Sequence, residues 1–261
     1  MRKLITLITA MVIFCTIARS QTTEVSGDIT SDTTWSGDTV KVTDNVWVHS
    51  QATLTVSSGV YVEFQGHYKV TVNGTLIAAG TQLDNITFTA HDDSDPWNGI
   101  QFYGSLNEND TSKIIYCNVS YSYADEGAGI FISDYDELKI QNSCISNNTA
   151  EFHGGGIYCD SSDITIENNN IKNNTCVYDG EFYGGAGIYS LNSYMVIKNN
   201  HIMNNSAHGM GGGIYCVGEY AYIYNNDLSN NFADWWGGAI CLEYSGALIY
   251  NNLIYNNSGG I

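Results

Sequence analysis

The chain has 261 residues and carries 27 acidic against nine basic side chains, a formal charge of −18. Nucleic acid and anionic lipid both need a basic footprint, so neither is an expected partner. The same excess of acid favours solubility and the binding of cations.

Residues 1–20 have the pattern of a signal peptide. Arg2 and Lys3 give a basic start, Leu4 to Ala18 an apolar run, and Ala18-Arg19-Ser20 small residues before a cut ahead of Gln21. The apolar run is too short to span a bilayer as a mature helix. No later segment is apolar enough to be a membrane span. Cys15 would suggest a lipid anchor, but the large Phe14 before it does not fit that processing. Removing 1–20 leaves six lysines, no arginine and a net charge of −21.

Residues 21–113 read as short strands without strict spacing. The runs are Val40–Val42, Val46–Val48, Leu54–Val56, Val60–Phe64, Lys69–Val72 and Ile86–Thr89, with a tight turn at Asn73-Gly74. Asp92 to Pro96 is a loop rather than a domain boundary. From residue 114 the chain repeats. The same apolar position recurs at Val119, Ile145, Ile171, Ile202, Leu228 and Ile254, in steps of 26, 26, 31, 26 and 26. The long step holds five extra residues within 175–184. Self-similarity at such a period means stacked structural units.

Each unit contains three apolar stretches in which inward and outward residues alternate, the period of a strand. Asn pairs follow the second and third stretches, such as Asn168-Asn169 and Asn173-Asn174. Asn tolerates the left-handed backbone of a tight turn, and aligned Asn side chains can bond from layer to layer. Gly-Gly before the first stretch permits a third corner. Three strands and three corners make one coil of a parallel β-helix, and the crossover preference makes it right-handed. The expectation is an all-β, single-stranded solenoid over 21–261, of roughly nine coils. Ile140, Ile166, Ile197, Ile223 and Ile249 share one position and should form a buried column. Six cysteines remain, Cys117, Cys144, Cys159, Cys176, Cys216 and Cys241; an exported protein could pair them, but the repeat argues against most pairings. Cys159 and Cys216 share a position but lie two layers apart, about 9.6 Å, beyond disulfide reach. Most of the six are expected to be small, buried core fillers. Ser258 to Ile261 begins another first strand with no cap legible, so a longer protein is expected.

The run Ile145 to Tyr158, with Asn147-Asn148 and Gly154-Gly155-Gly156, resembles the repeat of the bacterial polymorphic outer-membrane proteins. That repeat has Phe-x-x-Asn and then Gly-Gly-Ala-Ile. Gly237-Gly238-Ala239-Ile240 matches its second half, while Ile or Leu stands in for the Phe. Residues 52–90 are similar to the opening coils of secreted right-handed β-helix proteins of the pectate-lyase-like superfamily. The resemblance implies fold and export. It leaves activity open, because that superfamily includes lyases, hydrolases, adhesins and passenger domains. A pectate lyase would imply calcium and a basic residue, commonly arginine, which the mature chain lacks. Lys139, Lys172 and Lys198 sit at outward strand positions and read as solvated or paired charge, as with Glu167 and Lys198. Of the polygalacturonase-type motifs, only Asp92-Asp93 resembles any part. No catalytic residue is assigned.

Two constellations stand out as sites. Asp134 and Asp160 are 26 apart, as are Glu137 and Asp163, with Asp136 near them. Stacked at about 5 Å, they would suit calcium or a retaining glycosidase pair. The plain alternative is a solvated acidic turn. His91-Asp92-Asp93-Ser94-Asp95 is a second metal candidate. The other constellation is aromatic. Tyr158, Tyr189 and Tyr215 form a ladder above Phe131, opposite in phase to the inward Ile and therefore outward. Phe152, Tyr183 and Trp235 share the preceding corner, followed by His153, Met210 and Trp236. A ridge of Tyr158, Tyr189, Tyr215, Tyr183, Trp235 and Trp236 would suit sugar rings or a protein partner. The alternative is stacking that only stabilises the coils. Triplets such as Asn147-Asn148-Thr149 read as turns. These features together describe a secreted or cell-surface β-helix that binds or adheres, with a glycan or cell-surface protein as partner. The alternative is a polysaccharide-active lyase or glycoside hydrolase on the same fold.

Overall fold

The structure is a computed structural model that describes residues 21–104, 111–136, 138–180, 183–218 and 220–259. These residues form a stack of parallel strands. One turn of the winding shows the plan. Ile157–Asp160 is followed by Thr165–Glu167, Asn170–Lys172 and the two-residue strand Thr175–Cys176, and then Ile188–Leu191 lies directly on Ile157–Asp160. The three strands expected per turn are therefore present, and a short fourth segment braces the corner from Tyr123–Glu126 onward. Three sheets result, of 17, nine and six strands. The largest combines two faces because the long strand Thr39–Val48 bends through both. Its 39–42 end pairs with Tyr61–Phe64 and its 46–48 end with Val70–Val72.

Alternation along each strand fills the interior. Ile140, Ile166, Ile197 and Ile223 form the expected column and are wholly buried. Ile249, expected in the same column, is 42% exposed; among the described residues its strand, Leu248–Tyr250, pairs with the one beneath it alone. In the irregular coils large aromatic side chains fill the interior: Trp97 is fully buried and stacks on Phe64 at 4.1 Å. Cys117, Cys159, Cys176 and Cys216 are buried as free thiols, and burial pushes each up to about 12.

The paired asparagines divide the work of each turn. The first of each pair takes the left-handed backbone, with φ of 58° at Asn168 and 55° at Asn173, where Asn is among the least strained residues. The second points inward and is almost wholly buried from Asn148 to Asn231, and part-buried at Asn252 and Asn257. Asn148, Asn174, Asn205, Asn231 and Asn257 form one ladder, and Asn169, Asn200, Asn226 and Asn252 the other. Within a ladder the side-chain oxygen accepts from the backbone N–H and the side-chain amide of the Asn below, while its own amide also donates to a backbone carbonyl. Asn174 shows all of this: it accepts from Asn148 at 3.1 and 3.0 Å and donates to Asn205 and to the Ile145 carbonyl, each at 3.0 Å. A burial that would otherwise be costly is thus fully satisfied.

The register corrects one expectation. Ser133, not Asp134, pairs with Asp160, so the step here is 27 residues. Asp134 lies level with Ser161, and both take positive φ, 53° and 51°.

Candidate functional site

The glycine-rich corner that precedes the first strand of each turn organises the molecule's most distinctive surface. Glu126 pairs with His153, His153 with Gly184, and Gly184 with Met210. The Gly211 N–H donates to the Trp236 carbonyl. The track from Glu126 to Trp236 therefore crosses five layers, four strand spacings or about 19 Å.

The tyrosine ladder lies beneath this track, and here the expectation of an exposed ridge is overturned. Tyr158, Tyr189 and Tyr215 are only 6%, 5% and 1% exposed. They do point away from the main core. However, Gly154, Gly185 and Gly211, at φ of 62–65°, fold the corner back over them. A Cβ on these glycines would sit 2.8, 2.8 and 2.6 Å from the Tyr158, Tyr189 and Tyr215 Cβ atoms. The rings form a second, smaller core with Met210. Tyr158 stacks on Phe131 at 4.9 Å and on Tyr189 at 5.2 Å. Burial raises all three phenols above their usual range. His153 packs against Tyr189 at 4.2 Å, and burial pushes its imidazole down to about 4.

The aromatics of the track itself remain open to solvent. Trp235 and Trp236 are 39% and 42% exposed, with rings 6.4 Å apart and nearly perpendicular. The five-residue insertion adds Tyr178, 44% exposed, whose ring meets Tyr183 at 4.7 Å and Phe152 at 5.2 Å. The Trp235 indole N–H donates to Asp179 of the same insertion at 3.2 Å and so fixes the ring. Tyr178 and Asp179 were missed as site residues, although an insertion confined to one coil of a repeat is itself a signal of function.

At the other end of the track lies a polar cleft lined by His67, Lys69, Asn98, Gln101, Tyr103 and Tyr123, with Ala124, Asp125, Glu126 and Phe131. Its floor is wired by a chain of hydrogen bonds. His67 Nδ1 is 2.8 Å from the Pro96 carbonyl oxygen, which can only accept, so Nδ1 carries the proton. Nε2 then accepts from the Asn98 amide at 3.1 Å. Asn98 Oδ1 accepts from Gln101 at 3.3 Å, and Gln101 Oε1 accepts from Lys69 Nζ at 3.0 Å and the Tyr103 hydroxyl at 3.3 Å. Burial, with the charges of Asp125 and Asp160 nearby, raises the Glu126 carboxyl above the usual carboxylate range.

The acidic constellation is dispersed. Asp163 Oδ1 accepts from the Tyr194 N–H at 3.2 Å, and Asp136 Oδ1 from the Asp163 N–H at 2.9 Å. These carboxylates tie one coil's corner to the next. Asp134 is exposed and a register step from Asp160, while Glu137 lies outside the described residues. Among the described residues no three His, Cys, Asp or Glu side chains group as a metal site. In the second candidate, Asp92 accepts from Ser94, and His91 pairs with Glu63 at 3.1 Å. The expected Glu167–Lys198 pair is present at 3.3 Å. Asp163→Ala should cost about 1 kcal/mol, the worth of one hydrogen bond, measured by urea denaturation. No change would mean that water replaces the carboxylate.

The sequence profile described as a right handed beta helix region matches residues 29–232. The chain belongs to this right-handed β-helix family. No curated protein and no solved structure matches it. In this β-helix the in-register stacking of successive coils puts the corner track, the insertion and the cleft at Glu126 along one corner, and regular elements hold site residues more precisely than free loops do.

Proposed function

We propose that the protein is exported and acts at the cell surface as a glycan-binding module. The observation that supports this reading is the aromatic corner built on the insertion: Tyr178, 44% exposed, packs against Tyr183, and Asp179 holds the Trp235 indole. Flat aromatic faces match the C–H faces of sugar rings, and rings held in place lose little freedom on binding. The track of about 19 Å has room for an extended chain lying along the solenoid axis. The buried tyrosines take no part in contact. They hold the corner down.

The test is the double variant Trp235→Ala/Trp236→Ala on a glycan array. Binding should fall at least about tenfold, the loss of one or two aromatic contacts. Melting should stay within a few degrees, because neither ring is buried. Undiminished binding by the double variant would sink the reading.

A further inference from the structure

The cleft at the Glu126 end of the track has chemistry that the aromatic corner does not share. Most of its polar groups are already fixed by the chain from His67 to Tyr103, and what remains unspent can be counted. His67 has no ring nitrogen left over, since one donates to Pro96 and the other accepts from Asn98. The Asn98 and Gln101 amides each keep one N–H, and the Lys69 ammonium keeps two. The Tyr103 oxygen keeps its lone pairs, because its proton goes to Gln101. No described residue donates to the Glu126 carboxyl, whose perturbation comes from burial and neighbouring charge alone. The cleft thus offers donors on the His67–Gln101 side and acceptors at Tyr103 and Glu126. Phe131 supplies an apolar wall, braced by stacking on Tyr158 at an interplanar angle of 3°.

We propose that this cleft binds one neutral hexopyranose unit. Each sugar hydroxyl donates and accepts at once, so a ring of hydroxyls satisfies a cleft of mixed donors and acceptors that a purely accepting or donating ligand would leave unpaired. The Phe131 wall suits the ring's C–H face. The cleft holds charge of both signs, Lys69 on one side and Asp125 and Glu126 on the other, so each charged sugar would meet a like charge that a neutral one does not. The volume, about 330 Å³, lies at the small end of ligand sites. The rigid wiring means that little ordering is lost on binding. The proposal rests on the glycan reading above, but its residues are separate from the tryptophan corner.

The test is calorimetry and saturation-transfer NMR with the methyl glycosides of glucose, galactose and mannose. Galacturonate and glucosamine serve as charged controls, and short linear oligomers of the neutral sugars extend the probe. At least one neutral glycoside should bind, with the controls at least about tenfold weaker. Gln101→Ala, which removes the acceptor for both Lys69 and Tyr103, should abolish that binding. Glu126→Gln should weaken it severalfold. That variant also guards against misfolding. A carboxyl raised by burial is costly to ionise, so its removal should leave melting at neutral pH equal to or above wild type. Trp235→Ala/Trp236→Ala should leave the monosaccharide bound as before and weaken only the oligomers. If no neutral glycoside binds, or the charged sugars bind better, the cleft proposal is overturned. If monosaccharides bind but the tryptophan variant holds oligomers unchanged, the cleft stands and the corner reading fails.

Discussion

Asn205→Ala should be among the most damaging single substitutions in this chain, lowering stability by roughly 4 kcal/mol. Asn205 is wholly buried at the middle of its ladder. Its Oδ1 accepts both the backbone N–H and the side-chain amide of Asn174, at 3.0 Å each. Its own amide donates to the Ile171 carbonyl at 3.0 Å and to Asn231 at 2.9 Å. Truncation leaves the two Asn174 donors and the Ile171 carbonyl without this partner in a dry interior. Each buried unsatisfied group costs about 1–3 kcal/mol, and relaxation recovers part of the sum. Asn205→Asp should be no better. A carboxylate could still accept from Asn174 but could not donate to Ile171 or Asn231, and it would add a buried charge. Asn257, part-buried at the last described rung of its ladder, donates to Leu228 and Tyr255 and accepts from Asn231. Asn257→Ala should therefore cost less than Asn205→Ala. Urea titrations of the three variants give the comparison. Equal losses at Asn205 and Asn257, or a loss under about 1 kcal/mol at Asn205, would mean that the ladder does not stabilise the stack.

How far the sequence could be read follows from what a repeat encodes. A repeat states which residues stand one above another. Ile171 and Ile202 share a position 31 residues apart, and they pair in the structure. The Asn pairs likewise revealed both the turn and the ladder. Alternation further states which side of its strand a residue occupies, and so it placed Tyr158, Tyr189 and Tyr215 away from the main core. It does not state what lies over that side. The cover comes from Gly154, Gly185 and Gly211, whose positive φ turns the corner back onto the rings, and nothing in the spacing of tyrosines carries that information. The register slip at Asp134 has a related cause. One extra residue between Ala150 and His153 changes the step from 26 to 27 at the corner, between Ala124 and Glu126, and Ser133 and Asp160 inherit it before Ile140 and Ile166 return to 26 on the next face. The cleft was the least legible feature. Lys69 and Gln101 are 32 residues apart, and His67 and Asn98 are 31 apart. They come together through the Val70–Ile100 pairing of two irregular coils. With no repeat to phase them, their contact could not be inferred from spacing.

Ile197→Asp should prevent folding at ordinary temperatures, whereas Ile197→Val should cost only about 1 kcal/mol. The pair separates burial of charge from loss of volume at one position. Ile197 has no exposed surface and sits between Ile166 below and Ile223 above in the nine-stranded sheet. Valine removes one methylene and keeps the branched shape that suits a strand, so the column closes with a small void. Aspartate removes more volume and places a carboxylate where no donor or counter-ion is available. Its nearest compensations, the Asn ladders, have their amide protons committed to backbone carbonyls and to one another. The group must then fold protonated or not fold, and both routes cost several kcal/mol, comparable to the whole stability of a domain. In a solenoid each coil contacts its neighbours alone, so a defect at the centre uncouples the coils on either side. Circular dichroism of the Asp variant should show loss of the strand signal or a broad, non-cooperative melt. Hydrogen exchange should show protection lost first around 195–198. A cooperative, wild-type melt of the Asp variant would mean that this column does not form the core.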